Sequence, residues 1–483
     1  MAKTESNFFI RFKNFYQGFS PAAHLNELTE RGNEGHASKM KNVNVLVPDY
    51  ITQGLGLADL TNGNQAGVVS ELINFILDKA VANDETYGIG ATKLFKISST
   101  TVISDANWPH TITDCIRGES VLHLKGKVYY LFNKASDGDI GLLTLPNTFD
   151  DDWGSTVPTG KALLQKSSHP SAGKEDIMIF GNGRYLGTYI QGNDTLTVNK
   201  LDFGEDHEVA DVIFHANQWY IAVNEGVSGS NRTIGQIYLY DGAAISSILD
   251  DEASIGLQRI GFLFVLNGVV FVAYQDLSDT AGYKIGYLAG RQIKPLAYFS
   301  GSLPTFAQKT LYKNTILFIS GSLIYSCGAV TPEFPIQLSQ LAKGGHATVG
   351  ALAAPFGTPM VASSDGSANH RLAKFSGFDT DCEWRSIIVP TISGRLVGYI
   401  SEIIILTRTL GANARCDLKL EYNQASSENE AKQITGTGKR RFVFNVGKAG
   451  IEDFRAFLNW ANGNATNDCP IREIQISGHY TER

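Results

Sequence analysis

Short runs of aliphatic and aromatic residues, separated by turn residues, recur along most of the chain. The clearest example is FLFVLNGVVFVAY, from Phe262 to Tyr274, in which Asn267-Gly268 separates two apolar runs. A two-residue type I′ turn requires a positive φ angle at both central positions, which Asn tolerates and Gly adopts freely. The pattern therefore predicts a β-hairpin with Gly268 at the second turn position.

Other stretches repeat this pattern, each with its own turn. They are VLHLKGKVYYLF with Lys125-Gly126, IMIFGNGRYLGTYI with Asn182-Gly183, DVIFHANQWYIAV with Asn217, and TLYKNTILFI with Lys313-Asn314. A third short strand is predicted after most hairpins, beginning at Ile140, Thr195, Gln236, Tyr283 and Ser322. Two less regular units, from Ile73 and from Val349, extend the series at either end.

These units predict an all-β fold with a β-propeller of about seven blades over residues 71–378. The central turns fall near Asn83, Gly126, Gly183, Asn217, Gly268, Asn314 and Gly357, at spacings of 34 to 57 residues. Propeller blades have about four strands and a period of roughly 40 to 50 residues, and six or eight blades also fit this spacing. A parallel β-helix fits less well because its repeat is much shorter and stricter.

Residues 1–70 do not follow the blade pattern and predict an extended N-terminal arm. Gly, Asn and charged residues dominate from Glu30 to Asn44, and a short helical turn is expected around Leu25. Such an arm either wraps its own domain or reaches a neighbour. After it, Val69, Leu72, Ile73, Ile76 and Ala80 also fit a helical stripe, but a strand is favoured because it completes the first blade.

Residues 379–483 predict a separate C-terminal domain that resembles a β-sandwich. Its strands are longer, for example GYISEIIILTRTL and IREIQISGHY. One helix is predicted in IEDFRAFLNW, where Ile451, Phe454 and Leu458 would share a face. The consecutive Ile403, Ile404 and Ile405 predict a strand that is buried on both faces.

Composition excludes several classes of protein. An apolar content of 43% excludes disorder, and a net charge of −7 without a basic block disfavours tight wrapping of nucleic acid. The five cysteines are Cys115, Cys327, Cys382, Cys416 and Cys469. They form no CxxC pair, so we interpret them as buried thiols rather than as disulfides or a zinc site.

The N-terminus and the apolar runs give no sign of translocation or of membrane insertion. MAKTESNFFIRFKNF lacks the continuous apolar region and the cleavage site of a secretory signal. The apolar runs are single strands that Gly or Asn interrupts within ten residues, which is too short to span a bilayer. We therefore expect a protein that reaches its place of action without translocation.

The motifs with catalytic or binding potential are incomplete. GTGKRR at Gly436 has Gln433 in place of the first glycine of a phosphate loop and Arg440 in place of its Ser or Thr, so a tight basic turn is favoured. Asp150, Asp151 and Asp152 lack the spaced calcium-loop pattern and are interpreted as a solvated acidic loop.

Signatures of propeller enzymes are also absent from the sequence. The stretch Ser363-Ser364-Asp365-Gly366 does not match an Asp-box, WD dipeptides are missing, and Gly344-Gly345 is an isolated kelch-like pair. We interpret four histidines, each in a turn-like context, as surface or turn residues: His24, His36, His346 and His370. The sequence therefore predicts no catalytic residue, no cofactor site and no metal site.

The order of segments resembles that of tailed-bacteriophage virion proteins. An arm beginning KNFYQGFSPAAHL is followed by NEGHASKMKNVNVL, TQGLGLADL, the β-repeats and a terminal strand CPIREIQISGHYTER. This layout is similar to the β-propeller tail nozzle, tail hub and packaged-DNA stabilisation (head-tail connector) proteins. Gly18-Phe19-Ser20 is similar to the Gly-rich opening of their arm, whereas Gly54-Leu55-Gly56 lacks the Arg and Pro of their next element.

The resemblance implies a non-enzymatic structural role in the neck or tail of a virion, after assembly in the host cytoplasm. The implied partners are other neck and tail proteins and further copies of the chain, which would form a ring, six-fold in most of these proteins, around the DNA exit channel. An acidic channel would let DNA pass without gripping it, although −7 is also an ordinary solubility charge. A receptor- or glycan-binding tail propeller and a glycan-active enzyme remain the alternatives.

Overall fold

A computed structural model describes residues 7–13, 37–41, 43–44, 50–63, 74–78, 85–226, 234–249, 257–276, 279–312, 315–328, 337–343, 348–364, 370–391, 396–423 and 431–482. In these ranges the structure is almost entirely β-strand. The one α-helix there, α1 (Trp153–Thr156), has four residues. Short 3-10 turns lie at Gln191–Asn193, Phe306–Gln308 and Pro355–Gly357. The prediction of an all-β chain is therefore confirmed.

The chain divides into two compact units. Unit 1 comprises residues 1–58, 323–343 and 375–483, and unit 2 comprises residues 59–322 and 344–374. The N-terminal strands are β1 (Asn7–Phe12), β2 (Ala37–Lys41), β3 (Val43–Asn44), β4 (Thr52–Gln53) and β5 (Leu55–Asp59).

Five four-stranded antiparallel sheets lie within the described part of unit 2, each built from strands that follow one another in the sequence. Sheet 1 is β6 (Asn74–Asp78), β7 (Glu85–Gly90), β8 (Lys93–Ile97) and β9 (His110–Thr111). Sheet 2 is β10 (Arg117–Leu124), β11 (Lys127–Asn133), β12 (Gly138–Thr144) and β13 (Thr148–Asp150). Sheet 3 is β14 (Ser171–Lys174), β15 (Ile177–Asn182), β16 (Tyr185–Ile190) and β17 (Thr195–Asp202).

The series continues with two more complete sheets and two further groups of strands. Sheet 4 is β18 (His207–His215), β19 (Gln218–Glu225), β20 (Ile234–Tyr240) and β21 (Ile245–Ser247). Sheet 5 is β22 (Leu257–Leu266), β23 (Val269–Asp276), β24 (Asp279–Ala289) and β25 (Gln292–Ser300).

In unit 2, β26 (Lys309–Tyr312) pairs with β27 (Thr315–Ser320), and in unit 1, β28 (Leu323–Gly328) pairs with β29 (Gln337–Lys343). The last group is β30 (Thr348–Ala353), β31 (Met360–Ser364) and β32 (His370–Phe378), paired in that order. β6 lies in the stretch around Ile73 and Ile76, where the sequence fitted both a helix and a strand, and confirms the prediction of a strand.

The first strands of successive groups in unit 2, together with the turn before β26, form a closed cycle of neighbours. β6 contacts β10, β10 contacts β14, β14 contacts β18, and β18 contacts β22. The turn Phe306–Gln308, immediately before β26, contacts both β22 and β30, and β30 contacts β6. This neighbour relationship is that of the blades of a β-propeller, in which each sheet packs its faces against the sheets before and after it.

A short segment before sheet 1 closes this cycle. The Leu60 N–H donates to the Leu372 carbonyl at 3.0 Å, and the Leu372 N–H donates to the Gly63 carbonyl at 3.0 Å. Between them, the Thr61 carbonyl accepts a hydrogen bond of 2.9 Å from the Val102 N–H. One segment therefore joins β32, in the last group, to the loop after β8 in sheet 1.

Several hairpin turns lie where the sequence places them. Lys125 and Gly126 have φ angles of 39° and 81°, and Asn267 and Gly268 have φ angles of 50° and 77°. Asn217 also has a positive φ, and Ala216 precedes it in the same turn. The predicted turn at Asn182-Gly183 is wrong by one residue, because Asn182 ends β15 and pairs with Tyr185. The turn is then Gly183-Arg184, with positive φ at the first position only, as in a type II′ turn.

The predicted turns at Asn83 and at Lys313-Asn314 and the helical turn around Leu25 lie outside the described residues.

Unit 1 contains two sheets that share one hydrophobic core. Their further strands are β33 (Glu383–Ser386), β34 (Val389–Pro390), β35 (Leu396–Thr407), β36 (Arg415–Tyr422), β37 (Lys432–Thr435), β38 (Arg441–Ile451), β39 (Asp453–Asn459) and β40 (Ile471–Glu482). The β35 sheet has the order β1-β40-β35-β38. The β36 sheet has the order β2-β33-β39-β36-β37, and β34 also pairs with β39. In the shared core, the Phe12 ring lies 5.8 Å from Trp384 and 6.4 Å from Phe454. The described strands β1 and β2 of the N-terminal arm thus pair with the chain's own C-terminal strands.

Two predictions for this C-terminal region are wrong. IEDFRAFLNW is not a helix, because β39 pairs with both β33 and β36 and buries Phe454, Ala456 and Leu458 at alternate positions. The strand through the three isoleucines is fully buried on one face only. Ile403 and Ile405 lie in the core, whereas Ile404 on the other face is half-buried.

The prediction of buried thiols is confirmed. All five cysteines are free and buried. Burial raises the pKa of both Cys327 and Cys382 to about 12, so these thiols stay protonated and unreactive at neutral pH. GTGKRR is a tight turn between β37 and β38, with positive φ at Gly436 and Gly438, as predicted.

Candidate functional site

A cavity of about 730 Å³ lies in unit 2 where the first strands of several sheets begin. Sheet 2 contributes Arg117, the segment before sheet 3 contributes Ser168, sheet 4 contributes Glu208, and sheet 5 contributes Arg259. The turn before β26 closes the cavity with an apolar wall, Leu303, Pro304 and Phe306. This volume lies within the range of sites that hold small molecules.

Arg117, Glu208 and Arg259 occupy equivalent positions in their sheets. Each lies two residues before the extra residue of a β-bulge in the first strand. The register shifts between Gly118 and Ser120, between Val209 and Asp211, and between Ile260 and Phe262. A bulge bends its strand and re-aims the neighbouring side chains. The repeat therefore brings three charged side chains to one cavity although they are far apart in the sequence.

The charges at this cavity are coupled. Burial raises the pKa of Glu208, while a hydrogen bond from the Ser168 backbone and the charges of Arg259 and Arg117 oppose that shift. Arg117 also contacts Glu119 at 3.3 Å, and 58% of its side chain remains exposed. The lining contributes two guanidinium groups and one carboxyl group, and the Glu119 carboxylate beside Arg117 balances the second guanidinium group. Glu208 is the one carboxyl group in its lining.

The residues opposite Glu208 and Arg117, on the second strands, fix one sheet to the next. Asn224 pairs with Glu208, and its side chain donates to the Ile260 carbonyl at 2.9 Å and accepts from the Ile260 N–H at 2.7 Å. Asn133 pairs with Arg117 and bonds the carbonyl and N–H of Ser167 in the same way, at 2.8 and 3.2 Å. The amide groups thus hold the cavity wall rather than its contents.

A buried ion pair next to the cavity joins three strand groups. The Lys309 ammonium at the start of β26 contacts the Asp211 carboxylate and donates to the Leu263 carbonyl at 2.5 Å. The same carboxylate accepts hydrogen bonds from the N–H groups of Val212 and Leu263 at 2.9 and 2.6 Å. Burial raises the pKa of Asp211 and lowers that of Lys309, and their mutual contact opposes both shifts. We assign this pair a structural role.

The interpretation of Asp150, Asp151 and Asp152 as a solvated loop is wrong for Asp151. Its carboxylate lies 2.9 Å from His110 Nε2 and accepts hydrogen bonds from the Tyr130 hydroxyl at 2.5 Å and the Thr113 N–H at 2.9 Å. Burial raises the pKa of Asp151, but the hydrogen bonds of these partners outweigh that effect and lower the pKa to about 2. Since His110 belongs to sheet 1 and Tyr130 to sheet 2, the carboxylate joins the two sheets. Its loop neighbour Asp152 instead forms an ion pair with Lys134 at 2.8 Å.

Two other features have binding potential. His169 is fully buried, its Nδ1 lies 2.9 Å from the Gly181 carbonyl oxygen, and burial lowers its pKa to about 4. Its imidazole is therefore neutral at pH 7. A second cavity, of about 300 Å³, lies between the two sheets of unit 1 and is lined by Ile403, Leu418, Leu420, Tyr422, Lys432, Val446 and Lys448.

The histidines singled out in the sequence are not brought together at a described site. His24, His36 and His346 lie outside the described residues, and for His370 only the strand position in β32 is described. Within the described ranges, no group of three or more His, Cys, Asp or Glu side chains could hold a metal ion. No helix in this part of the chain has the length and hydropathy needed to cross a membrane.

No family model and no curated protein matches the chain. Similar solved structures include the extracellular domain of the putative one component system BT4673 from B. thetaiotaomicron, with 13% identity and a TM-score of 0.46 over 79% of this chain. The match covers 47% of that domain, so the chain spans about half of its length. The WD40 β-propeller domain of Doa1 has 12% identity and a TM-score of 0.41, covering 67% of this chain and 96% of that one. The N-terminal domain of Nup159 has 10% identity and a TM-score of 0.39, covering 68% and 96%.

Sequence reasoning did not find the cavity residues. Arg117, Glu208 and Arg259 belong to no short motif, and neighbouring members are separated by more than 50 residues. The signal that could have found them is positional. Aligning the repeats on their first strands places a charged residue two positions before the bulge in sheets 2, 4 and 5.

Proposed function

We propose that the protein is a non-enzymatic structural component of a tailed-phage virion, in the neck, tail nozzle or hub. In this proposal a seven-bladed β-propeller and a C-terminal β-sandwich form each subunit, and copies assemble head to tail as a ring around the DNA exit channel. Six-fold symmetry is favoured. The partners are other neck and tail proteins, and DNA passes through without specific binding.

The blade number rests on the strand groups of unit 2. Five complete four-stranded sheets, the β26–β27 pair and the β30–β31–β32 group correspond to the seven repeats of the sequence. The closed cycle of first strands supports a complete ring of blades in each subunit. The β-sandwich rests on the two sheets of unit 1 that share one core.

The proposed assembly rests on the two edge strands of the β35 sheet. β1 and β38 are its two edge strands, and the outer side of each has no strand partner among the described residues. Each edge also exposes a large apolar side chain, with Phe9 58% exposed on β1 and Val443 42% exposed on β38. Exposed edge strands bind other strands readily, and monomeric proteins usually protect them.

These two edges suit a head-to-tail contact between copies. If β1 of one copy pairs with β38 of the next, the same contact repeats, and a repeated contact of this type closes into a ring when its rotation permits. Positive φ angles at Gly447 and Gly450 interrupt the far end of β38. The flat part of this edge is therefore Arg441 to Val446, which matches the six residues of β1 in length.

The cavity of unit 2 supports binding rather than hydrolysis. Most glycoside hydrolases use two carboxyl groups on either side of the scissile bond, and this lining supplies Glu208 alone. This arrangement favours a non-enzymatic role over the glycan-active alternative.

The direct test is to locate the protein in particles. Mass spectrometry of purified virions should detect it in several copies per particle, and cryo-electron microscopy should place those copies as a ring in the neck or tail. Absence from particles, a single axial copy, or copies confined to peripheral fibres would refute the proposal.

A further inference from the structure

We propose that the cavity of unit 2 binds an acidic saccharide, with Arg259 and Arg117 holding the ligand carboxylate and Glu208 accepting hydrogen bonds from its hydroxyl groups. This inference concerns one subunit and stands whether or not the copies assemble as proposed above.

The positions of the charged groups favour a preformed binding site. Arg117, Glu208 and Arg259 come from three different sheets and reach the cavity through the same bulged position of the repeat. Asn133 and Asn224, on the neighbouring strands, use their amide groups to fix the next sheet at Ser167 and Ile260. The walls are therefore held by hydrogen bonds that do not depend on a ligand.

The charge balance selects the kind of anion. Arg117 is paired with Glu119 at 3.3 Å, so Arg259 is the main contact offered to a ligand carboxylate and Arg117 contributes its remaining N–H donors. Glu208 would repel a phosphate more strongly than a carboxylate, because a phosphate carries more negative charge at neutral pH. A guanidinium group binds a carboxylate through paired N–H donors, so two arginines suit this ligand well.

The remaining lining suits a sugar ring. Gln275 bonds the Gly282 carbonyl through its Nε2 at 3.2 Å and is half-buried at the cavity. Leu303, Pro304 and Phe306 form an apolar wall on one side. Polar groups that fix orientation beside an apolar surface are typical of small-molecule sites. A volume of about 730 Å³ is also large enough for more than a single small anion.

The test measures binding of D-glucuronate and of tri-D-galacturonate to the full chain by isothermal titration calorimetry. We expect saturable binding that weakens at least tenfold in Arg259→Gln and is partly restored in Arg259→Lys. D-glucose should not bind measurably. Arg291→Gln is the matched control, because Arg291 is exposed at the turn between β24 and β25, outside the cavity lining, and its removal should leave the affinity unchanged.

Thermal melting of each variant checks that folding is preserved, which is expected because the Arg259 side chain is exposed. No binding of either uronate at 10 mM ligand, equal loss in Arg259→Gln and Arg291→Gln, or equal binding of D-glucose would overturn the inference. Tighter binding of a hexaglutamate peptide than of tri-D-galacturonate would also overturn it, in favour of an acidic peptide ligand.

Discussion

Asn224 hydrogen-bonds both backbone polar groups of Ile260, so that one side chain of sheet 4 fixes the first strand of sheet 5. Its Nδ2 donates to the Ile260 carbonyl at 2.9 Å, and its Oδ1 accepts from the Ile260 N–H at 2.7 Å. Asn133 repeats the arrangement with Ser167. These two contacts hold sheet 4 against sheet 5, and sheet 2 against the segment before sheet 3, at the walls of the cavity.

Replacing Asn224 with alanine should lower the free energy of unfolding by about 2 to 4 kcal/mol, because it leaves a buried N–H and a buried carbonyl without a partner. Urea denaturation of the two proteins measures the difference. Asn193→Ala is the matched control, since Asn193 is an exposed residue and its loss should change stability by less than about 0.5 kcal/mol. Equal stability of Asn224→Ala and Asn193→Ala would show that the contact does not hold the sheets together.

Replacing Gly268 with valine should destabilise the protein by about 1 to 3 kcal/mol. The φ angle of Gly268 is 77°, which a β-branched residue strongly disfavours. No atom lies within 4 Å of an added Cβ, so the expected cost is backbone strain and not a steric clash. Gly268→Asn separates backbone strain from a steric clash, because Asn also adds a Cβ but tolerates positive φ. It should therefore destabilise the protein clearly less than Gly268→Val does. If the valine and asparagine variants melt at the same temperature, the turn contributes no strain of this type.

The contribution of Asp151 to stability should depend on pH. Its pKa is about 2 in the folded protein, below the ordinary value of 3.8. A lowered pKa in the folded state stabilises the protein above the unfolded pKa, and this stabilisation is lost as the pH falls from about 4 to about 2. The linkage is worth about 2 kcal/mol at neutral pH.

Asp151→Asn should therefore be destabilised by roughly that amount at pH 7, with a difference from the wild type that shrinks as the pH falls from about 4 to about 2. Unfolding curves at a series of pH values test this. Asp150→Asn serves as the control, since the carboxylate partners His110, Tyr130 and Thr113 all belong to Asp151. A difference that stays constant over this range would contradict the assigned hydrogen bonds.

Local signals in the sequence predicted local structure well. Asn267-Gly268 and Lys125-Gly126 turn as expected because their backbone preferences act within two residues. At Asn182-Gly183 the same signal was misleading by one residue, since Asn182 uses its side chain to bond Gln165 and Val198 instead.

Where contacts between distant segments decide the structure, the sequence signal was ambiguous. Ile451, Phe454 and Leu458 have helical spacing, yet pairing of β39 with β33 and β36 makes this segment a strand. The cavity has the same origin, because Arg117 and Arg259 line one cavity only after the intervening sheets have packed side by side. The periodicity within one segment does not show which distant residues will line one cavity. Alignment of the repeats on their bulges does show it.

A single measurement tests most directly the proposed contact between the β1 edge of one copy and the β38 edge of the next. Native mass spectrometry of the purified wild-type protein should show one closed oligomer, with six copies favoured. Val443→Glu should dissociate it to monomers, because a buried charge at the β38 edge opposes strand pairing. Val157→Glu, the same change at a 52% exposed valine of unit 2, should leave the oligomer intact. A wild-type protein that stays monomeric at high concentration, or an oligomer that persists in Val443→Glu, would contradict the proposed ring.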